Sequence, residues 1–408
     1  MKKNSKLIVS IDFGKNETEV GELISENEKI YFKYNSEFIK KDLKISPFKL
    51  PLSTRVYSEE RKPFDGLYGV FNDSLPDGWG KLLLDRRLLS KGISLNNITP
   101  LDRLAFVGVN GMGALKYRPE IEPAYNQEFF IELDEIAKNT SQLLEGVDTD
   151  ILDELYQMGG SSGGARPKVF ILYNPDKEHI IYNQKTPPKG YEHWIIKFPS
   201  SSDSSDIANI EYAYHKMAIK CGLEMNPCKL FKGKSGKSYF GTKRFDRNKN
   251  KNFHLHSASG LMHDNYRMSF MDYGHLMDCA FRLENHISAY TKIISLATFN
   301  IFSHNQDDHS KNFSFLMDEN GKWKFAPVYD LTFSFSALGH HSTMVASESK
   351  FPKKKHLLKL AEHYSIKNIN EIIEQTKETI ANWEKYAKEA GVTTVSMKKI
   401  TAVLNTML

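Results

Sequence analysis

The sequence predicts an α+β protein of two lobes, the first rich in β-strands and the second mainly helical. Short runs of β-branched and aromatic residues, typical of strands, recur up to residue 247, as in KLIVSI, EKIYFKY and KSYFGTKRFDR. Beyond that point strand patterns become rare and helical periodicity dominates. We therefore divide the 408 residues into an N-terminal β-rich subdomain (1–125), the remainder of the first lobe (126–245) and a helical second lobe (246–408).

The composition excludes several classes of protein. With 40% hydrophobic and 12% aromatic residues, the chain can bury real cores and is not disordered as a whole. A net charge of +5 permits an acidic ligand such as a nucleotide but does not by itself indicate nucleic-acid binding. Three cysteines without a CxxC pair fit a reduced cytosol, and no run approaches the roughly 20 apolar residues of a membrane span. We expect a cytoplasmic protein with no membrane partner.

The first segment of chemical interest is the glycine-rich GGSSGGARPK at residues 159–168, which a strand pattern follows. Glycines let backbone N–H groups approach anionic oxygens, so the segment predicts a loop that covers phosphates. It is not a Walker A loop, because Pro167 stands before Lys168 where that loop has glycine. A flexible linker is the alternative, but the following strand and Lys168 favour the phosphate loop.

Lys197 is a lone charge in the apolar strand WIIKF. A buried lysine is costly unless it is paired, and the strand lysine of a protein kinase pairs with phosphates and with a helix glutamate. Glu211, on the next helix, is the expected partner. We expect that helix to begin at an Asp206 N-cap and to stop at Gly222. The alternative is an edge-strand lysine that points to water.

The strand TKRFDR at residues 242–247 should lead to the connection between the lobes, where an adenine ring would meet backbone groups. Its charged residues have a second interpretation, since Arg244, Asp246 and Arg247 could form an ion-pair cluster on the surface.

A polar run, SHNQDDHSKN, follows a helical apolar stripe at residues 286–302 and precedes a hairpin pattern, FSFLMDENGKWKFAPVYD. The Asn-Gly pair at 320–321 predicts a two-residue turn, because both positions tolerate positive φ. That turn would place Asn312 opposite Tyr329 and therefore beside Asp330. The sequence thus predicts that an Asn and an Asp converge at the open end of the hairpin, with Asp307 close by.

This spacing is typical of phosphoryl transfer. A protein-kinase catalytic loop uses an Asp to orient the acceptor hydroxyl, an Asn five residues later and a further Asp to bind Mg²⁺. Asp307, Asn312 and Asp330 follow that pattern. Three alternatives remain: Asp307 and Asp308 as a solvated turn, His304 and His309 as zinc ligands, and a metal-dependent nuclease built on residues 307–309. A structural, hydrogen-bonding role for His309 is favoured over zinc.

Motifs along nearly the whole length give the chain a resemblance to a known family. They are GVFNDSLPDGWGKLLLDR, GMGALKYRP, GGSSGGARPK, IIKFP, IEYAYHKMAIKCGL, KRFDR, DDHSKNFSFL and APVYDL, in that order. In these motifs the chain resembles the HipA family of serine/threonine kinases, the toxins of bacterial toxin–antitoxin pairs. The resemblance implies a two-lobed protein-kinase-like fold that uses ATP and Mg²⁺.

The resemblance also implies roles for single residues. Asp307 corresponds to the catalytic aspartate, and Asn312 and Asp330 to the Mg²⁺ ligands. The expected ATP-binding residues are Lys197, Lys168, Ser162, Gly163, Gly164, Ala165, Arg244 and Phe245, with Glu211, His309 and Lys311 in support. The family's glycine-rich loop carries an autophosphorylated serine. Ser161 matches that serine most closely, and Ser162 is the second candidate.

Partners follow from the resemblance alone. Family members pair with a small helix-turn-helix antitoxin of the HipB type and phosphorylate a protein, in known cases an aminoacyl-tRNA synthetase. DNA would be contacted only through the antitoxin, and the basic stretch PKKKHLLK at 352–359 is better explained as a solvated helix start. Two alternative functions remain: a kinase of small molecules, and a nucleotide-binding co-repressor whose catalysis is dispensable.

Overall fold

Two five-stranded antiparallel sheets and one three-stranded sheet organise the protein. The computed structural model describes residues 5–121, 131–182, 187–336 and 339–408. The first sheet contains Lys6–Asp12 (β1), Glu17–Glu26 (β2), Lys29–Tyr34 (β3), Val56–Ser58 (β4) and Leu115–Arg118 (β5), in the spatial order β4-β3-β2-β1-β5. Its helices are Ser36–Ile39 (α1), Gly69–Asn72 (α2), Gly78–Ser90 (α3) and Pro100–Val107 (α4).

The second sheet and its helices form the middle of the chain. The helices Leu133–Leu144 (α5) and Leu152–Gly159 (α6) precede Lys168–Asn174 (β6), His179–Tyr182 (β7) and Glu192–Lys197 (β8). Then come Ile207–Lys220 (α7), Cys228–Lys232 (β9) and Ser238–Lys243 (β10), and the spatial order is β7-β6-β8-β10-β9. In β8 the buried Trp194 and Ile196 alternate with more exposed neighbours, as expected for a strand.

The last part of the chain is mainly helical. It begins with the short pair Arg247–Asn248 (β11) and Lys251–Asn252 (β12), followed by His254–Ser257 (β13), which pairs with Ser314–Met317 (β14), itself paired with Trp323–Phe325 (β15). The helices are Ala258–Met262 (α8), Tyr273–Glu284 (α9), Ser288–Phe302 (α10), Lys354–His363 (α11), Ile369–Ala381 (α12), Trp383–Ala390 (α13) and Thr394–Met407 (α14). None of the helices in the described ranges is both long and apolar enough to cross a bilayer.

The protein has two large hydrophobic cores and a small third one around Leu84, Leu88 and Phe106, and the two large cores do not follow the order of the sequence. One hydrophobic core runs from Leu7 in β1 to Leu404 in α14 and includes the first sheet, α7 and the C-terminal helices. The other lies between α3, α5, α6 and the second sheet, with Trp79 and Val169 at its centre. The N-terminal sheet therefore packs into the same core as the helical lobe.

A buried hydrogen-bond chain joins these two parts across the first core. Ser46 Oγ lies 3.0 Å from His256 Nε2, and His256 Nδ1 lies 2.6 Å from Asp73 Oδ2. Asp73 also accepts from the N–H and the hydroxyl of Ser257, at 2.7 and 2.6 Å. Ser46 and His256 are completely buried, so this Ser-His-Asp arrangement is a structural connection.

The predicted fold class is confirmed: both five-stranded sheets lie before residue 244, and helices dominate beyond it. The boundary predicted at 125/126 falls on residues outside the described ranges, so the three-part division stays a prediction. Two details differ. β2 was not predicted, because exposed glutamates interrupt its apolar pattern. Asp206 is the N-cap residue of α7, as predicted, but its side chain makes no cap there; it accepts instead from Thr393 and Ser396 at the start of α14.

Candidate active site

Buried amides and hydroxyls hold the polar run after α10 in place. Asn305, only 2% exposed, donates from Nδ2 to Oδ1 of Asn300 in α10 at 3.0 Å. Ser334 Oγ donates to Asn305 Oδ1 at 3.0 Å and accepts from the N–H of Asp307 at 3.1 Å. The run is therefore fixed between α10 and the segment around residue 334, which explains why polar residues lie between buried elements.

Asp308 turns its carboxylate into the protein. It is 1% exposed, and its four donors are the N–H groups of Ser342 and Thr343, the hydroxyl of Tyr273 and Nδ1 of His341, at 2.8 to 3.2 Å. A carboxylate with its acceptor positions occupied in this way is not available to a metal. The nuclease alternative, which uses Asp308, is therefore disfavoured.

Asp307 has the opposite environment. Its side chain is 60% exposed toward a cleft, with Oδ1 at 3.7 Å from His309 Nε2. The cleft walls limit hydration of the carboxylate and raise its pKa; His309 opposes this shift and the charge of Asp330 increases it. A carboxylate with a raised pKa at an open position is a suitable proton acceptor near neutral pH.

Asp307, Asn312 and Asp330 line one cavity. The Asn312 Nδ2 donates to the backbone oxygen of Asp307 at 2.8 Å, which leaves the amide oxygen of Asn312 for another partner. Asp330 adopts a left-handed backbone conformation, with φ of 59°. The structure thus brings together the three residues that the Asp–x4–Asn spacing and the hairpin pointed to.

The hairpin itself differs from the prediction. β14 and β15 pair Phe315 with Phe325 and Met317 with Trp323, one residue away from the expected register. The turn is longer than two residues, since Asp318 N–H donates to Lys322 O and only Gly321 has a positive φ, of 77°. The side chain of Asp318 stabilises this turn by accepting from the N–H groups of Asn320 and Lys322 at 2.9 and 3.0 Å.

Lys197 joins the two halves of the cleft. Its Nζ donates to Glu211 in α7 and to Asp330 Oδ1, the latter at 2.6 Å, and its side chain is 12% exposed. Burial alone would lower the pKa of Lys197, but Asp330 and Glu211 outweigh it and hold the pKa well above its usual value. The same contact keeps the pKa of Asp330 far below its ordinary range despite burial. An edge lysine in water is therefore excluded.

Lys168 lies beside Lys197, because β6 and β8 pair these two residues. Its Nζ donates to Gly163 O at 2.7 Å. Burial lowers the pKa of Lys168 to about 8; Asp330 opposes this shift and Lys197 increases it. Within the described residues, the backbone N–H groups of 163–166 donate no hydrogen bond, so they are free for an anion.

The two candidate serines of the loop have different surroundings. Ser161 Oγ donates to Asn110 O at 2.8 Å, and the residue is half-buried. Ser162 is completely buried, and its hydroxyl has no hydrogen-bond partner among the described residues. Modification of Ser162 requires the loop to leave its position, whereas Ser161 needs only to release Asn110.

Arg244 belongs to a buried ion cluster. Its guanidinium donates twice to Asp246, at 2.9 and 2.7 Å, and lies over the ring of Phe170. Arg247 reaches the same carboxylate at 2.8 Å, so the surface cluster considered as an alternative is in fact internal. Phe245, next in sequence, has its ring 5.2 Å from that of Tyr329, which precedes Asp330.

Sequence reasoning missed Arg166 and Asp203. Arg166 Nε and Nη2 donate to Asp203 at 3.2 and 3.0 Å, which ties the glycine-rich loop to the link after β8. Burial would lower the pKa of Arg166, but Glu211, Asp330 and Asp203 keep it raised. The available signal was a lone arginine inside a phosphate-type loop followed by a Ser/Asp-rich link.

His309 and Lys311 both contact Tyr266, and His309 also lies beside Asp307. The ring of His309 lies 5.3 Å from that of Tyr266, and Lys311 Nζ lies 4.9 Å from that ring and 3.3 Å from Asp77 Oδ2. His304 packs against Phe333 and Phe335. In the described ranges no three His, Cys, Asp or Glu side chains cluster as the three or four ligands of a zinc site would, which disfavours zinc.

The donors fit Mg²⁺ and a nucleotide. A carboxylate and an amide oxygen are hard ligands, and a site with few protein ligands suits Mg²⁺, which keeps waters and binds phosphates. Asp330 and Asn312 would hold the ion. Lys197, Lys168 and the free N–H groups of 163–166 would provide the positive charge and the hydrogen-bond donors that phosphates require.

Two known proteins named as putative kinases are similar to this chain in sequence. A protein named "Putative kinase Y4mE" from Sinorhizobium fredii is 25% identical over 379 residues, which cover 84% of this chain and 76% of that protein. A "Putative kinase" from Haemophilus influenzae is 27% identical over 188 residues, which cover 43% of this chain and 52% of that protein.

A solved structure shows the same fold. HipA from Shewanella oneidensis, determined in a complex of the toxin–antitoxin proteins HipA and HipB with operator DNA, has a TM-score of 0.69 and 16% identity over 98% of this chain and 95% of its own. The two-lobed HipA-like fold is thereby confirmed.

Family models identify the chain directly. The HipA N-terminal domain model matches residues 12–118, and the HipA-like C-terminal domain model matches residues 160–383. Since the second match alone spans more than half of the sequence, the chain belongs to the HipA family.

Proposed function

We propose that this protein is an ATP- and Mg²⁺-dependent serine/threonine protein kinase that acts as the toxin of a toxin–antitoxin pair. The observation that carries the proposal is the position of Lys197, which contacts both Glu211 and Asp330 in the cleft lined by Asp307 and Asn312. Phosphoryl transfer depends on positioning and charge stabilisation, and these are the groups that supply both. The kinase names of two relatives also support it.

Each residue has a task in this proposal. Asp307 orients the acceptor hydroxyl and takes its proton, in keeping with its exposure and raised pKa. Lys197, Lys168 and the backbone N–H groups of residues 163–166 would bind phosphates, and Glu211 would fix Lys197; the N–H of Ser162 already donates to Gly159 O. ATP supplies the phosphoryl group when it is bound. The backbone around Arg244 and Phe245 is where the adenine would bind.

The toxin role rests on family membership. We propose a HipB-like antitoxin as partner, because the structurally similar Shewanella HipA was solved with HipB and operator DNA. Its substrate would be a cellular protein, with an aminoacyl-tRNA synthetase as the first candidate to test, and its location the cytoplasm. Autophosphorylation at Ser161, with Ser162 second, would regulate the loop.

Mass spectrometry of the intact protein tests the kinase proposal. The chain is dephosphorylated, incubated with Mg·ATP and compared with Asp307→Ala and with the control Asp148→Ala, an exposed loop position. We expect one phosphate on the wild type and on the control, mapped to Ser161 or Ser162, and none on Asp307→Ala. Equal phosphorylation of Asp307→Ala would contradict the catalytic assignment. ATP binding without transfer to any protein would favour a small-molecule kinase or a co-repressor.

A further inference from the structure

The start of α3 lies directly against the glycine-rich loop. Asp77 N–H donates to Ser162 O at 3.3 Å and Trp79 N–H donates to Gly164 O at 2.9 Å. Lys168 Nζ binds the oxygen of Gly163 between them, so three successive carbonyls have donors. A carbonyl oxygen beside a phosphate would repel it. Because these carbonyl oxygens already accept hydrogen bonds, the N–H groups of the loop remain as the groups that can bind an anion.

This close approach depends on two glycines. A Cβ atom at Gly78 would lie 2.4 Å from Gly164 O, and one at Gly80 would lie 2.4 Å from Ser162 O. Gly78 also has a positive φ, of 46°, but Gly80 lies within α3 at an ordinary helical φ. Gly80 is thus required by the distance to the loop, since its backbone conformation would accept alanine. The indole of Trp79 adds a third contact by donating to Lys168 O at 3.0 Å.

The side chain of Asp77 reaches the other wall of the cleft. It caps α3 through Gly78 N–H, accepts from the hydroxyl of Tyr266 at 2.7 Å and lies 3.3 Å from Nζ of Lys311. Arg267 approaches its second oxygen at 3.2 Å. Burial alone would raise the pKa of Asp77, but Lys311, Tyr266 and the cap lower it to about 2, so the carboxylate is charged.

We propose that the start of α3 positions the glycine-rich loop, and that Asp77 couples this loop to the catalytic loop through Lys311. The inference rests on the proposed kinase function, because it concerns the two loops of that site. The proposal gives the N-terminal subdomain a role in positioning the loop of the nucleotide site. Gly80 and Asp77 are positioning residues in this scheme: neither touches the reacting atoms.

Gly80→Ala tests the first half of the proposal. The new Cβ must displace the loop, although alanine is the better helix former. We expect the Kd for Mg·ATP to rise by about tenfold, equivalent to about 1.4 kcal/mol, and the melting temperature to fall, because the new Cβ meets backbone atoms of the loop. Hydrogen exchange at the amides of residues 77 and 79, measured without nucleotide, should become faster, because the loop carbonyls are their partners. Lys81→Ala, a solvent-facing neighbour on the same helix, is the control.

Asp77→Asn tests the second half. Asparagine can keep the cap and the Tyr266 contact but loses the charge that faces Lys311. We expect the rate of phosphoryl transfer at saturating ATP to fall by about tenfold, while the Kd for Mg·ATP changes by less than about twofold. Lys311→Met should have a similar effect, and the double variant should be no worse than either single one, because coupled residues are not additive. Additive losses would overturn the coupling.

The outcomes separate this inference from the kinase proposal. Exchange and nucleotide affinity need no catalysis, so they test the position of the loop even if no substrate is phosphorylated. If Gly80→Ala leaves both exchange and ATP affinity at wild-type values, the start of α3 does not position the loop. If both change but the wild type transfers no phosphate, the positioning role stands and the kinase proposal fails.

Discussion

At the scale of single residues, the two adjacent aspartates of the polar run show how surroundings assign roles. Asp308 accepts from four donors and fixes the loop, whereas Asp307 faces the cleft with a raised pKa. The sequence alone leaves both open, because neighbouring aspartates have identical chemistry. Only the fold, which brings residues 341–343 to one of them, separates their tasks.

Asp307→Asn should therefore remove the proton acceptor and leave the loop intact. We expect the transfer rate to fall by about 10²- to 10⁴-fold, the usual contribution of general-base catalysis. In the wild type, the rate should fall as the pH drops through the raised pKa of Asp307, because a protonated carboxyl cannot accept a proton. Single-turnover rates across pH measure both effects. If the rate of Asp307→Asn still fell at low pH, a group other than Asp307 would be responsible for the pH dependence.

Lys168 predicts a second pH dependence. With a pKa near 8, this lysine loses its proton at mildly alkaline pH, whereas bound phosphates favour its charged form. We expect ATP affinity to decline as the pH rises above about 8, and Lys168→Met to bind weakly without this dependence. Equilibrium dialysis at pH values from about 6 to about 10, a range that spans the lowered pKa of Lys168, measures the affinity for ATP. A wild-type affinity that stays constant over that range would contradict the prediction.

The same lysine affects stability in the opposite direction. Between about 8 and its ordinary pKa near 10.4, the unfolded chain holds a proton that the folded chain has lost, so stability without ligand rises with pH. Below pH 8 both states are protonated and the buried charge destabilises the fold. Lys168→Met should then raise the melting temperature at pH 7 while it weakens ATP binding.

At the scale of elements, Asp206 connects two helices that are far apart in sequence. It stands before α7, yet it accepts from Thr393 N–H at 2.9 Å, Thr393 Oγ1 at 2.8 Å and Ser396 Oγ at 2.9 Å. An N-cap prediction from local sequence could not anticipate this, because the competing donors come from the last helix. The pattern identified the residue at which α7 begins, but the side chain of Asp206 binds the start of α14, where Thr393 is the N-cap.

Asp206→Ala should lower the free energy of unfolding by about 2–3 kcal/mol, since hydrogen bonds to a buried carboxylate contribute about that amount. Burial alone would raise the pKa of Asp206, but the Thr393 contacts lower it. Its contribution is therefore present above the ordinary pKa of an aspartate and is lost as the pH falls through the lowered value. Urea denaturation at pH 7 and at pH 3 measures the change. An equal deficit at both values would rule out the charged contact as its source.

At the scale of the whole molecule, the sequence predicted the two-lobed fold class and the convergence of Asp307, Asn312 and Asp330, but not how the parts pack. Lys197, Glu211 and Asp330 were predictable because they lie in a strand, in a helix and after a hairpin, each with a clear pattern. The contact of Asp77 with Lys311 was not, because the two lie on different elements that only the tertiary fold brings together. The packing of the first sheet and the last helices in one core could not be predicted for the same reason.

Asp73→Ala tests the connection between these parts. It removes the acceptor of three buried donors on His256 and Ser257, and each such loss costs about 1–3 kcal/mol. We expect the free energy of unfolding to fall by at least about 3 kcal/mol, with Asp150→Ala, an exposed position, as control. Because the first sheet and the helical lobe share a core, fluorescence and circular dichroism should report one transition for both. Separate loss of the first sheet would contradict the shared core.

The Ser46–His256 contact also has a consequence for synthesis. These residues are 210 positions apart, and the apolar surface of the first sheet packs with residues that the ribosome makes only after the whole middle part of the chain. The N-terminal segment is therefore synthesised first. Its apolar core face stays unburied until β13 and the helices after it have been made. A nascent chain of this protein therefore cannot complete its fold, or its cleft, before translation is nearly finished.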